Sequence, residues 1–183
     1  MKKTLSRRKI SLLLILSVFI SVVLCSCSGN MTDEQAKAEL ERLLPLSYEM
    51  NEIFWGKGLP VQDIDSSDRY LPVDVESGYK TTGEILSKAA KVFSKEYLEQ
   101  IKDAVFTDGE DTDPRYADIN GVLKADTNNK GFNVKGNIVI GSIKIKKQNR
   151  NMVIIQAEYE DGGNTDITLI MQDGKWYLNS PTY

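Results

Sequence analysis

The last forty or so residues, Gly141 to Tyr183, alternate apolar and polar side chains between short turn sequences. A period of two over runs of this length is the mark of half-buried β-strands. Ile143 and Ile145 face one way while Lys144, Lys146 and Gln148 face the other, and Asn149-Arg150-Asn151 interrupts. Met152 to Glu160 resumes with Val153, Ile155, Ala157 and Tyr159 opposite Met152, Ile154, Gln156 and Glu158. That strand is apolar on both faces near its start, which places it centrally in a sheet. Beyond Asp161-Gly162-Gly163-Asn164 come Ile167, Leu169 and Met171; then Asp173-Gly174, which accepts the positive φ angles of a two-residue hairpin turn; then Lys175 to Asn179 with Trp176 and Leu178 inward. The expectation is an antiparallel meander whose apolar face is covered by upstream elements.

Upstream, Thr32 and Gln35 have capping-box spacing and open a helix to about Trp55, with Ala36, Leu40, Leu43, Leu44, Tyr48, Met50, Phe54 and Trp55 on its apolar side. Pro45 is expected to kink or split it. Gly56 and Gly58 follow a helix, the wrong context for a phosphate-binding loop. Val61 to Tyr79, with Asp63, Asp65, Asp68, Asp74 and Glu76, reads as an irregular connection steadied by Tyr70 and Leu71. Thr81 with Glu84 suggests a second capping box, and Ile85, Leu86, Ala89, Ala90, Val92 and Phe93 recur at helical spacing. Ser94 caps a third helix carrying Tyr97, Leu98, Ile101, Ala104 and Val105, and both short helices are expected to lie across the meander. Tyr116 to Ile119, Asn120-Gly121 and Val122 to Thr127 form a hairpin signal. Phe132, Val134, Ile138 and Ile140 continue the alternation, for five or six strands in one curved sheet, with Gly131, Gly136 and Gly141 as bend or bulge positions. The fold class expected is α+β, N-terminal helices packed on a curved antiparallel sheet, cystatin-like or cone-shaped.

Residues 1–26 read as an export signal: Lys2, Lys3, Arg7, Arg8 and Lys9 precede an apolar stretch from Ile10 to Leu24 that is short for a bilayer span. Leu24-Cys25-Ser26-Cys27 resembles the lipobox of bacterial lipoproteins, which implies cleavage after Ser26, lipidation of Cys27 and a location on the extracytoplasmic face of the cell membrane. Ordinary secretion or an uncleaved anchor are the alternatives. Residues 27–31 would then be a lipidated tether and 32–183 a single α+β domain. With Cys25 removed, the one remaining Cys would be blocked by lipid and no disulfide could form. Cleavage removes five of 23 basic residues and no acidic ones, leaving 18 against 26 and a net charge of −8. An acidic chain disfavours nucleic acid and favours basic partners or cations, with simple solubility as the commoner explanation.

The chain contains no histidine, so hydrolysis with a His base, a His-paired Cys nucleophile and His-ligated zinc are ruled out. A pair of carboxylates, or a Lys with a Ser, remains chemically possible, but no local pattern selects them. The expectation is a protein with no catalytic residue and no cofactor. Asp108, Glu110, Asp111 and Asp113 crowd four carboxylates into six positions, as a solvated loop, an interaction surface or a cation site; their spacing does not fit the helix-loop-helix calcium pattern, and no metal is expected. They are the candidate partner-binding residues, with Arg115, Tyr116 and Trp55 beside a glycine-flanked helix exit.

The segments SYEMNEIFWGKGLP (47–60), YKTTGEILSKAAKVFSKEYLEQI (79–101), PRY (114–116), SIKIKKQ (142–148) and GKWYLNSPTY (174–183) resemble a group of clostridial-type surface lipoproteins associated with the IseA-type DL-endopeptidase inhibitors. The resemblance covers most of the chain from about Leu40 onward and rests on order and texture, with no catalytic motif. It implies a monomer that binds and blocks peptidoglycan hydrolases whose active site uses Cys and His. A ligand-binding or scaffold lipoprotein of the same architecture is the competing expectation, and a deep apolar pocket beneath the helices would favour it.

Overall fold

A computed structural model describes residues 30–183 apart from 63, 65, 110–112, 133, 135 and 136. The export signal at 1–26, Cys27 of the tether, and Asp63, Asp65, Glu110, Asp111 and Gly136 lie outside the described residues. Met31–Tyr183 form one compact unit with its own apolar core, and its described residues make three α-helices and two antiparallel sheets in an α+β arrangement.

Helix α1 (Asp33–Phe54) begins where the capping box predicts: the Thr32 hydroxyl accepts from the Gln35 N–H, and the Gln35 side chain accepts from the Thr32 N–H at 2.9 Å. Of the two outcomes expected at Pro45, splitting does not occur: the helix runs through it. Pro45 is exposed, so the carbonyl deprived of its N–H partner is on the solvent side, while Leu40, Leu43, Leu44 and Met50 bury the opposite stripe.

The predicted meander is a four-stranded sheet ordered β4 (Ile138–Gln148), β5 (Met152–Tyr159), β6 (Asn164–Gln172), β7 (Lys175–Leu178). Its inner face carries Ile143, Val153, Ile155, Ala157, Ile167, Leu169 and Leu178, all at most 2 % exposed. Helix α1 lies along β4 and reaches β7, and so it is this helix that covers the sheet. Two α1 side chains complete the edge of β4: Asp33 accepts the Ile145 N–H at 2.9 Å, and the Tyr48 hydroxyl accepts the Ile138 N–H at 2.8 Å. An edge strand so capped has fewer free groups for pairing with another chain. The register of β4 on β5 slips between Val139 and Lys144, around Gly141 as expected, and again between Ile145 and Lys147. At the first slip the Ser142 hydroxyl donates to the Val139 carbonyl and accepts the Glu158 N–H, replacing lost ladder bonds.

The 116–127 hairpin forms as the sequence predicts, with φ of 54° at Asn120 and 77° at Gly121, but it does not join the meander. β2 (Tyr116–Ile119) and β3 (Val122–Asp126) pair with each other, and β1 (Tyr70–Pro72) adds to β3, making a second sheet ordered β1-β3-β2. The single sheet of five or six strands is therefore corrected to two sheets of three and four. The connection expected to be irregular supplies β1, in which Leu71 sits opposite Ala125 and the Tyr70 hydroxyl donates to the Pro114 carbonyl.

Helix α2 (Thr82–Ala89) stops short of the predicted stripe, and only Ile85 and Ala89 on it are buried. Val92 and Phe93 instead leave the helix and bond to β7, with the Leu178 N–H donating to Val92 and the Ser94 N–H to Leu178, both at 2.8 Å. Those two bonds occupy the open edge of β7. The Thr81 cap is one-sided, because the Glu84 carboxylate accepts from Lys80 rather than from Thr81. Helix α3 (Lys95–Phe106) buries Tyr97, Ile101 and Val105. Both short helices pack on β2 and on each other, not chiefly across the meander as expected. No helix among the described residues is long and apolar enough to cross a membrane.

Candidate functional site

Three of the residues singled out in the sequence, Trp55, Arg115 and Tyr116, meet at the C-terminal end of α1. A helix ends with carbonyls that have no N–H partner of their own, and these must be satisfied from elsewhere. Tyr116, 1 % exposed, supplies one answer: its hydroxyl donates to the Ile53 carbonyl at 2.9 Å and accepts the Leu59 N–H at 2.8 Å. Burial pushes its ionisation upward despite opposing contributions from Leu59 and Arg115. Arg115, 4 % exposed, supplies the next: its guanidinium donates to the Gly56 carbonyl at 2.6 Å and to the Asn129 side chain at 3.1 Å. Both side chains are thus braces inside the fold, and they lock the helix exit 55–59 to the loop 127–132.

That loop delivers a residue the sequence reading had placed in a strand. Phe132 precedes β4, donates its N–H to the Trp55 carbonyl at 2.7 Å, and stacks its ring on Trp55 with centroids 6.4 Å apart at 21°. It stays 52 % exposed, and Tyr183 closes the group at 5.6 Å from Phe132 and 6.1 Å from Trp55. Gly131 makes the approach possible. Its φ is 63°, and a Cβ there would stand 2.1 Å from the Gly56 carbonyl oxygen. The expected bend at this position is therefore a backbone crossing that excludes a side chain.

Two open clefts flank the group. One, of about 220 Å³, is lined by Phe54, Trp55, Val105, Arg115 and Phe132; the other, of about 370 Å³, by Lys57, Leu59, Arg115, Tyr116, Asp126 and Lys130. Arg115 and Asn129 border both and form the wall between them. The Trp55 indole N–H is buried at the first cleft and has no acceptor among the described residues. A buried donor of this kind is a place where a bound carbonyl or hydroxyl would gain a hydrogen bond.

Of the acidic run, Asp108 and Asp113 are among the described residues. Asp113 forms an ion pair with Arg69, whose guanidinium also makes two bonds to Asp126, at 3.0 and 2.8 Å. Asp126 has a side chain only 2 % exposed. Burial alone would raise its ionisation, but the bonds from Arg69 and from the Asn128 N–H, with the charges of Arg69 and Arg115, bring it below the usual carboxylate range. Asp108 is exposed. Among the described residues no group of three or more His, Cys, Asp or Glu side chains could hold a metal ion.

Phe132, Tyr183, Arg69, Lys57 and Lys130 were not selected from the sequence. Lys130-Gly131-Phe132 offered one local signal, a glycine before an aromatic residue after two Asn, but its meaning depends on where the end of α1 lies. Comparison of the chain with models of known protein families, and with curated proteins, found no match.

Proposed function

We propose that this protein is a non-catalytic lipoprotein of the extracytoplasmic face that binds and blocks peptidoglycan DL-endopeptidases. The observation that supports this reading best is the aromatic group at the end of α1. Phe132 is half exposed yet fixed by stacking and by the Gly131 crossing, so docking it into a partner costs little conformational entropy. Preorganised aromatic residues beside a buried, unpartnered donor have the character of binding hot spots. Asp108 and Asp113 are exposed carboxylates, the second paired with Arg69, and an acidic surface suits a basic substrate cleft. The absence of histidine accords with occupying a Cys-His active site without performing that chemistry.

The test is muropeptide cleavage by a DL-endopeptidase of the same cell in the presence of the chain from Cys27 onward. Cleavage should stop at saturating protein, and Phe132→Ser should weaken inhibition by about thirtyfold, the equivalent of a 2 kcal/mol hot spot. Undiminished cleavage by every such enzyme would remove the reading. Binding of a small ligand is the second reading, favoured by the 370 Å³ cleft, which is within the range for small-molecule sites. Calorimetric binding of peptidoglycan fragments alone, weakened by Lys130→Ala at that cleft, and no binding of the hydrolase, would select it.

A further inference from the structure

The outer face of the four-stranded sheet has a composition at odds with the acidic chain. Its registers put Met152 and Ile154 of β5 beside Ile170 of β6 and Tyr177 of β7, all half-buried and on the face opposite α1. On the β4 side, Lys147 stands opposite Ile154 and Lys144 opposite Gln156, with Arg150 in the following turn. Lys146 is tied to Asp166 at 2.7 Å, whereas Lys144, Lys147 and Arg150 make no ion pair with any described residue.

The chain also enters the fold at this corner. Gln148 holds the Met31 backbone from both sides, accepting its N–H at 2.8 Å and donating to its carbonyl at 3.1 Å. Cys27 is four residues earlier, so a fully extended tether reaches about 14 Å at most. An acyl chain on Cys27 would therefore hold this corner close to lipid head groups. The aromatic group is at the far end of α1, a 22-residue helix and so about 33 Å long.

We propose that this face, from Lys144, Lys147 and Arg150 across to Ile154 and Ile170, rests on an anionic bilayer surface. The placement depends on the lipid-anchor part of the proposed function. Basic side chains near such a surface each contribute about fivefold to association, and the half-buried apolar residues between them suit the interfacial region. With α1 on the opposite face of the sheet, the Trp55–Phe132 group at its far end stays off the contact patch.

The experiment couples the chain from Cys27 onward, through its single thiol, to a maleimide lipid in vesicles of phosphatidylglycerol or of phosphatidylcholine. Lysine acetylation rates are then read by mass spectrometry. Lys144 and Lys147 should react about fivefold more slowly on phosphatidylglycerol, and about 1 M salt, where the screening length falls to about 3 Å, should abolish the difference. Lys57 and Lys130 should react equally on both. Equal rates at Lys144 and Lys147 on the two vesicles would overturn the proposal, as would concentration-dependent protection without vesicles, which would make a second copy the occupant. The anchor is tested separately by the mass of Cys27 in protein taken from cell membranes. An unmodified Cys27 with protected lysines would remove the anchor and keep the surface; an acylated Cys27 with unprotected lysines would do the reverse.

Discussion

Tyr116→Phe isolates two hydrogen bonds at the end of α1 with almost no change in volume. The hydroxyl is the acceptor for the Leu59 N–H and the donor to the Ile53 carbonyl, in a side chain 1 % exposed. Phenylalanine leaves both backbone groups without that partner, the Ile53 carbonyl buried and the Leu59 N–H part-buried. An unsatisfied buried group costs about 1–3 kcal/mol, and the carbonyl, with its second lone pair, is at the low end, so the pair should cost about 3 kcal/mol. For a domain of this size 1 kcal/mol moves Tm by about 2–4 °C, which gives a fall of roughly 6–12 °C. The ring keeps its contact with Phe106, so far-UV circular dichroism at room temperature should be unchanged. Thermal unfolding and urea titration measure the loss. A variant within about 0.5 kcal/mol of wild type would mean that water reaches these groups, and the view of Tyr116 as an internal brace would fail.

Four further outcomes follow from the same geometry. Asp126→Asn should flatten the acid limb of the stability curve: because the folded carboxyl titrates below its ordinary value, its contribution is complete at neutral pH and is lost as pH falls below about 4, which denaturant midpoints at stepped pH will show. Gly131→Ala should shift Trp55 fluorescence and destabilise by more than the 1–2 kcal/mol of a left-handed backbone alone, because the added carbon meets the Gly56 carbonyl; an unshifted spectrum and wild-type stability would refute the crossing. Thr32→Ala should cost about 1 kcal/mol through loss of the cap in calorimetry, and no change would mean the first turn is frayed in solution. Phe132→Ser should lower Tm by only about 2–4 °C, the loss of its ring contacts, while weakening binding to the hydrolase about thirtyfold, and an equal loss in both would make its role structural.

Much of the architecture was already legible along the chain, because local rules carry it. The capping box at Thr32, the cap at Ser94, the Asn120-Gly121 and Asp173-Gly174 turns and the inward residues of β5 and β6 all depend on neighbours within a few positions. A period of two and a two-residue turn specify a hairpin wherever it is later placed. Misreadings arose where a longer-range partner outweighed the local pattern. Val92 and Phe93 have helical spacing, yet the unpaired edge of β7 offers two hydrogen bonds that a continued helix would leave empty.

What belongs to the tertiary structure is the division into two sheets and the composition of the site. No spacing relates Trp55 to Phe132 or Tyr183, and Arg115 and Tyr116 read as surface candidates until α1 is seen to end against them. The acidic run drew notice for its charge, but Arg69, more than forty positions away, pairs with Asp113 and with the buried Asp126. Periodicity reports which way a side chain faces within its own element. Which carbonyls, rings and charges it meets is decided by how the elements pack, and that depends on contacts between residues far apart in the chain.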